Sequence, residues 1–174
     1  MAYDPGHVDP VFLWLETSAA STFIRESPSL WVFPFILILH TWGLAFFVGA
    51  NVAWDLRALG IGLGVPLGRL ERYTAVMWAG FWINAVSGLL LLYAYPTKAM
   101  TNPVFYVKLI LIGVGIVMAT RLRRLMIGAG DAPAAVPTGA RLLAAASLAC
   151  WIAVIFAGRF LAYTCSRLSV DTPC

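Results

Sequence analysis

Four long stretches of this chain are almost without charge, and they constrain its fold more than any other feature. Residues 30–54 and 73–95 contain no Asp, Glu, Lys or Arg. Residues 103–120 contain one charge, Lys108 near the start, and residues 142–163 contain one, Arg159 near the end. Crossing the hydrocarbon core of a bilayer takes about 20 predominantly apolar residues as a helix, and a lone Lys or Arg near a helix end can extend its head to the interface. Four transmembrane helices are therefore expected, in an all-α antiparallel four-helix bundle that forms one membrane domain over residues 1–174. Hydrophobic residues make up 61% of the chain and charged residues 11%, far from the balance of a soluble domain. That excludes a water-soluble globular enzyme and a disordered chain. No Lys/Arg-rich run with interleaved aromatics occurs, which excludes a nucleic-acid module.

Residues 11–27 are too polar to span. Phe12, Leu15, Ala19, Thr22 and Phe23 fall on one helical face, so an amphipathic helix lying at the interface is expected ahead of the bundle. Ser27 and Pro28 look like the start of the first spanning helix, as N-cap and first-turn residue. The polar beginning of the chain lacks the basic start of a cleavable signal peptide, so the first apolar segment should be retained.

The basic residues sort by side. The connections around 55–72 and 121–141 hold seven (Arg57, Arg69, Arg72, Arg121, Arg123, Arg124, Arg141) against five elsewhere (Arg25, Lys98, Lys108, Arg159, Arg167), and the acids lean the other way. By the positive-inside rule both termini face outward, toward the periplasm if the membrane is a bacterial inner membrane. Trp31, Trp54, Tyr73, Tyr95 and Tyr163 sit at helix ends, as interfacial belts do. The same topology places Cys165 and Cys174 in an oxidising compartment, where a disulfide closing the tail is expected. Cys150, inside an apolar run, reads as packing.

Helices meet in lipid through small residues and polar contacts. The second span offers both, with Gly80, Asn84, Ser87 and Gly88 on one stripe. The fourth has Ala145, Ala149, Ala153 and Ala157 at four-residue steps, the first Ala45 and Gly49, the third Gly115 and Ala119.

His40 is the sharpest candidate for chemistry. It lies within the first span, and an ionisable group there is a functional hypothesis by default. A neutral imidazole can ligate a haem iron or another metal, and Gly43 three residues on would leave room beside a flat macrocycle. The alternative is a structural histidine bonded to Asn84 or Ser87. Since the only other histidine is His7, a bis-histidine haem within one subunit would need His7 to fold in. What remains is a His/Met haem with Met77, Met100 and Met118 as equal candidates, a five-coordinate haem, a haem shared across a subunit interface, or a pigment needing one ligand. Lys108 reads as a snorkelling end residue or as an anion site for a haem propionate or quinone carbonyl. Asp55 and Arg57 read as an interfacial ion pair, or Arg57 as a contact to a phosphate headgroup or partner protein. Glu16 and Arg25 read equally as surface charges. No catalytic constellation, Walker loop, HExxH or CxxC motif is present, so a non-catalytic role is expected.

Residues 12–112 resemble a widespread family of small bacterial four-helix membrane proteins with no assigned activity. The resemblance rests on Trp14, Glu16, Ile24, Arg25, Ser27, Pro34, His40, Gly43, Gly49, the run Asp55-Leu56-Arg57 with Leu59 and Gly60, and later on Ser87, Gly88, Asn102, Pro103, Phe105 and Lys108. The segment that holds Asn102, Pro103, Phe105 and Lys108 is also faintly similar to copper-resistance membrane proteins of the D type. The resemblance implies the four-helix fold and directs attention to His40, Arg57 and Lys108.

Together these features favour a small integral subunit of a larger membrane assembly that handles electrons. His40 would hold haem b or another tetrapyrrole, with Lys108 or Arg57 on its acidic groups or on a quinone. Lipids and other membrane or periplasmic subunits would be its partners. A cofactor-free structural anchor is the alternative, and an oligomeric small-molecule or metal transporter a third.

Overall fold

The computed structural model describes residues 10–27, 31–129 and 136–163. Two short helices, α1 (Pro10–Glu16) and α2 (Ala19–Glu26), precede the long α3 (Val32–Ala58) and α4 (Leu67–Ala94). The short α5 (Pro96–Met100) then leads to α6 (Pro103–Ala129) and α7 (Thr138–Tyr163). The four long helices are each long and apolar enough to cross a membrane. The chain is an all-α, multi-pass membrane protein built on this four-helix bundle. Two hairpins, α3–α4 and α6–α7, pack through α3, which touches both α6 and α7.

Each long helix extends beyond its apolar run at the end bearing the arginines. α3 continues to Ala58, α4 begins at Leu67 and α6 continues to Ala129. Charged residues there remain helical because their backbone groups still need partners near the bilayer. α3 stops in a Schellman motif. Ile61 N donates to Leu56 O at 2.9 Å and Gly60 N to Arg57 O at 3.2 Å, and Gly60 takes the positive φ of 96° that this turn requires. At the opposite end, Pro96 ends α4 and opens α5. Asn102 caps α6, its Oδ1 accepting from Val104 N at 2.9 Å, with Pro103 at the first helical position.

The single interfacial helix expected over 11–27 is two helices. Thr17 Oγ1 and Ser18 Oγ donate back to Trp14 O and Leu15 O, ending α1, and Ser18 then caps α2 by accepting from Ser21 N. Ser27 closes α2, its N–H donating to Phe23 O at 3.1 Å, rather than opening α3. Pro28 lies outside the described residues.

The pair α1–α2 docks on the corner between α4 and α5. Ser18 Oγ and Tyr93 Oη are 2.9 Å apart, and Ser21 Oγ donates to Ala94 O at 3.3 Å. Glu16 and Arg25 are not loose surface charges. Arg25 Nη1 meets Glu16 Oε1 at 3.1 Å and Arg25 Nη2 donates to Glu16 O at 2.9 Å. Thr97 Oγ1 donates to the other oxygen of the Glu16 carboxylate, and the Arg25 guanidinium lies 5.9 Å from the centre of the Tyr95 ring.

The core has two parts. Trp54, Ala58, Leu70, Leu122, Met126 and Ala144 pack near the arginine end, and Phe47, Val48, Met77, Trp151 and Val154 pack at mid-bundle. Phe47 and Trp151 meet edge to face with centroids 5.1 Å apart. Trp151 fits because Gly115 faces it; a Cβ on Gly115 would come within 2.9 Å of the indole. Trp54 belongs to this core and not to an interfacial belt, whereas Trp31, Tyr73 and Tyr163 are exposed.

Two small-residue stripes run elsewhere than their spacing suggests. On α7, Ala145 and Ala149 are exposed, Ala153 is half-buried and only Ala157 is buried; the buried line is Ala140, Ala144, Ser147, Trp151, Val154 and Ala157. Strict four-residue steps drift about 40° per step around a helix of 3.6 residues per turn, whereas alternating steps of four and three hold one seam. On α3, Ala45 and Gly49 are likewise exposed, and Gly43 and Phe47 form the contact.

Candidate functional site

The stripe on α4 lies against α3, with His40 at its upper end. Gly43 and Gly80 bring the two backbones together: a Cβ on Gly43 would fall 2.5 Å from Asn84 N. Beside this crossing, Asn84 Nδ2 donates to His40 O at 2.7 Å. The His40 Nδ1 atom is 3.1 Å from Asn84 O and 3.1 Å from Ser87 Oγ. A Cβ on Gly88 would meet His40 Cε1 at 3.1 Å, so glycine there admits the imidazole edge.

These partners fix the tautomer of the neutral ring. Asn84 O only accepts. Ser87 Oγ lies 2.6 Å from Ile83 O and donates its one proton there, leaving lone pairs toward the histidine. Both neighbours of Nδ1 are thus acceptors, so Nδ1 carries the ring proton and Nε2 keeps its lone pair. Asn84 Nδ2 gives one hydrogen to His40 O and holds the second at 3.4 Å from Nδ1, a longer contact than either acceptor makes. An imidazole anchored through Nδ1–H to a backbone carbonyl is the arrangement that orients Nε2 for a ligand role.

Lys108 lies on the second turn of α6. Its ammonium lies over Gly158 of α7, 3.7 Å from where a Cβ would stand. His40, Asn84, Ser87 and Lys108 thus gather in the half of the bundle near α5. Arg57 does not join them. It lies seventeen residues further along α3, about 25 Å along the axis, with Nε donating to Val65 O at 3.2 Å. Gly43 is not a notch beside His40 either, since the α4 backbone fills the space at its Cα. Met77 is spent in the mid-bundle core. His7, Cys165 and Cys174 lie outside the described residues. Cys150 is half-buried, its Sγ donating to Leu111 O at 3.3 Å.

A second polar cluster lies at the arginine end, and sequence reasoning did not assemble it. Asp55 is 1% exposed and accepts from Ser147 Oγ on α7 at 2.9 Å. It lies inside α3 and not in an interfacial loop. Its second oxygen, Oδ1, has no partner among the described residues, nor does Oδ1 of the buried Asn51 one turn earlier. The available signal was Asn51 itself, the one amide in the uncharged run 30–54. Among the described residues no cluster of three or more His, Cys, Asp or Glu side chains could hold a metal ion.

No family model, curated protein or solved structure matches the chain.

Proposed function

We propose that this chain is a small integral subunit of a larger electron-handling membrane assembly, in which His40 Nε2 would hold a haem b or another tetrapyrrole. The observation that carries this reading is the double anchoring of Nδ1 by Asn84 O and Ser87 Oγ, which commits one ring nitrogen and leaves the other basic. The donor set fits such a group at a single point. His40 offers a neutral nitrogen, and Lys108 a nearby cation for a propionate. Gly43 and Arg57 take no part, for the reasons of space and distance given above. A haem held there would supply one-electron chemistry; this chain would bind and orient it. In the same reading the membrane is a bacterial inner membrane, with the arginine end cytoplasmic and the partners membrane or periplasmic proteins.

A second reading, a cofactor-free structural anchor, is favoured by the Asn84 Nδ2 bond to His40 O, which makes the same residues part of the α3–α4 seam. An absorption spectrum separates the two. Protein purified in detergent from cofactor-replete membranes is recorded oxidised and dithionite-reduced, beside the His40→Ala variant. The redox reading expects a Soret band that shifts on reduction and is lost in the variant. A featureless wild-type spectrum sinks it and leaves the anchor.

A further inference from the structure

Between α4 and α6, on the floor made by α3, a cleft of about 400 Å³ opens at the arginine end. Trp54, Glu71, Thr74, Thr120, Arg123 and Arg124 are among its walls. Two guanidinium groups against one carboxylate leave it net positive. Arg123 reaches across it from α6, with Nη1 donating to Thr74 Oγ1 on α4 at 3.3 Å. Its Nε–H is buried and has no partner among the described residues. A smaller cavity of about 10 Å³ adjoins at Arg123 and Thr120 and is lined by the buried Asn51. The donors open to the cleft are those of the Arg124 guanidinium, which is exposed on its wall. Its depth matters as well. Arg123 stands five residues inside the end of its span at Gly128, about 7.5 Å along the axis, which is near headgroup level. Toward mid-membrane, Trp78 and Val117 continue the same faces of α4 and α6, apolar and exposed.

We infer that this cleft binds the phosphate of an anionic phospholipid from the leaflet at the arginine end. Planar guanidinium groups pair bidentately with phosphate oxygens, the Thr74 hydroxyl adds a donor, and Trp78 and Val117 lie along an acyl chain. Basic pockets between transmembrane helices suit such headgroups. The net positive charge selects an anionic lipid over one whose headgroup carries its own cation.

The test is native mass spectrometry of the detergent-purified full chain, given equal amounts of phosphatidylglycerol and phosphatidylcholine. The wild type should retain phosphatidylglycerol preferentially. R123Q/R124Q should weaken that retention roughly tenfold. R69Q/R72Q, which removes equal charge from exposed positions on α4, should leave it unchanged. R124Q alone, at an exposed side chain, should show a partial loss without endangering the fold. Equal retention of the two lipids would overturn the inference, and so would equal losses in the two double variants. Displacement of phosphatidylglycerol by inorganic phosphate at comparable concentration would also overturn it, by making the cleft a site for a free anion.

Discussion

Gly43 and Gly80 face each other across α3 and α4 so closely that a Cβ on the first would stand 2.8 Å from Gly80 O and one on the second 2.9 Å from Gly43 O. Neither position has room for a methyl group without parting the helices. Gly80→Ala is expected to destabilise the protein by about 1–3 kcal/mol, the range for overpacking a tight contact. Gly49→Ala, where a Cβ meets nothing within 4 Å, should change stability by no more than about 0.5 kcal/mol. Thermal unfolding in detergent, both variants beside the wild type, checks the contrast.

The Asp55–Ser147 bond joins the two hairpins in a region closed to solvent. Ser147→Ala removes a donor from a buried carboxyl whose other oxygen already lacks one, and should destabilise by about 1–3 kcal/mol. Removing both polar groups, as Asp55→Leu with Ser147→Ala, should restore much of that loss, because an apolar pair leaves nothing unsatisfied. Denaturant titration of the single and double variants reads the difference. A double variant weaker than Ser147→Ala alone would mean that the carboxyl has a further favourable interaction.

Glu16 holds Arg25 and Thr97 together, and with them α1–α2 against the α4–α5 corner. Its side chain is 17% exposed. Glu16→Ala should weaken the docking by about 1–2 kcal/mol. The readout is faster amide hydrogen exchange over residues 10–26 with unchanged protection in the four spanning helices. Glu26→Ala, at an exposed residue, serves as the control and should leave exchange unaltered.

Ser87 accepts the Nδ1 proton of His40 together with Asn84 O. In the proposed haem site, loss of that hydroxyl in Ser87→Ala should weaken ligand retention by roughly 10- to 100-fold, the usual effect of removing a group that orients a metal-binding histidine. Haem content per protein after gel filtration measures it. Retention equal to wild type would show that Asn84 O alone suffices to orient the ring.

The four spans were legible because an uncharged run of that length has few alternatives to a helix in a bilayer. Their ends were less so. The apolar run 103–120 stops nine residues before α6 does at Ala129, since arginines continue a helix as readily as leucines do. The glycine stripe on α4 could be read from spacing, but that α3 is the helix lying against it comes from the close approach at Gly43 and Gly80. The alanine stripe on α7 could not, because which face of an apolar helix meets a neighbour depends on that neighbour's shape, here Gly115 receiving Trp151. His40 stood out in sequence because it is ionisable in an apolar run. Its tautomer did not, because that follows from Ile83 O drawing away the Ser87 proton. Asp55 looked interfacial from its place beside Arg57; its partner Ser147 is 92 residues away and carries no mark in the sequence.

The docking of α1–α2 has a consequence for the order in which the chain can be completed. Glu16 is made 81 residues before Thr97, and Ser18 is made 75 residues before Tyr93. As synthesis runs from the N-terminus, neither bond can form until two membrane crossings have been made, and the bond to Thr97 waits also for the turn at Pro96. Helices α1 and α2, made before the spans, are therefore late to reach their resting place, and must wait at the membrane surface for the receptor that the second span brings back to them.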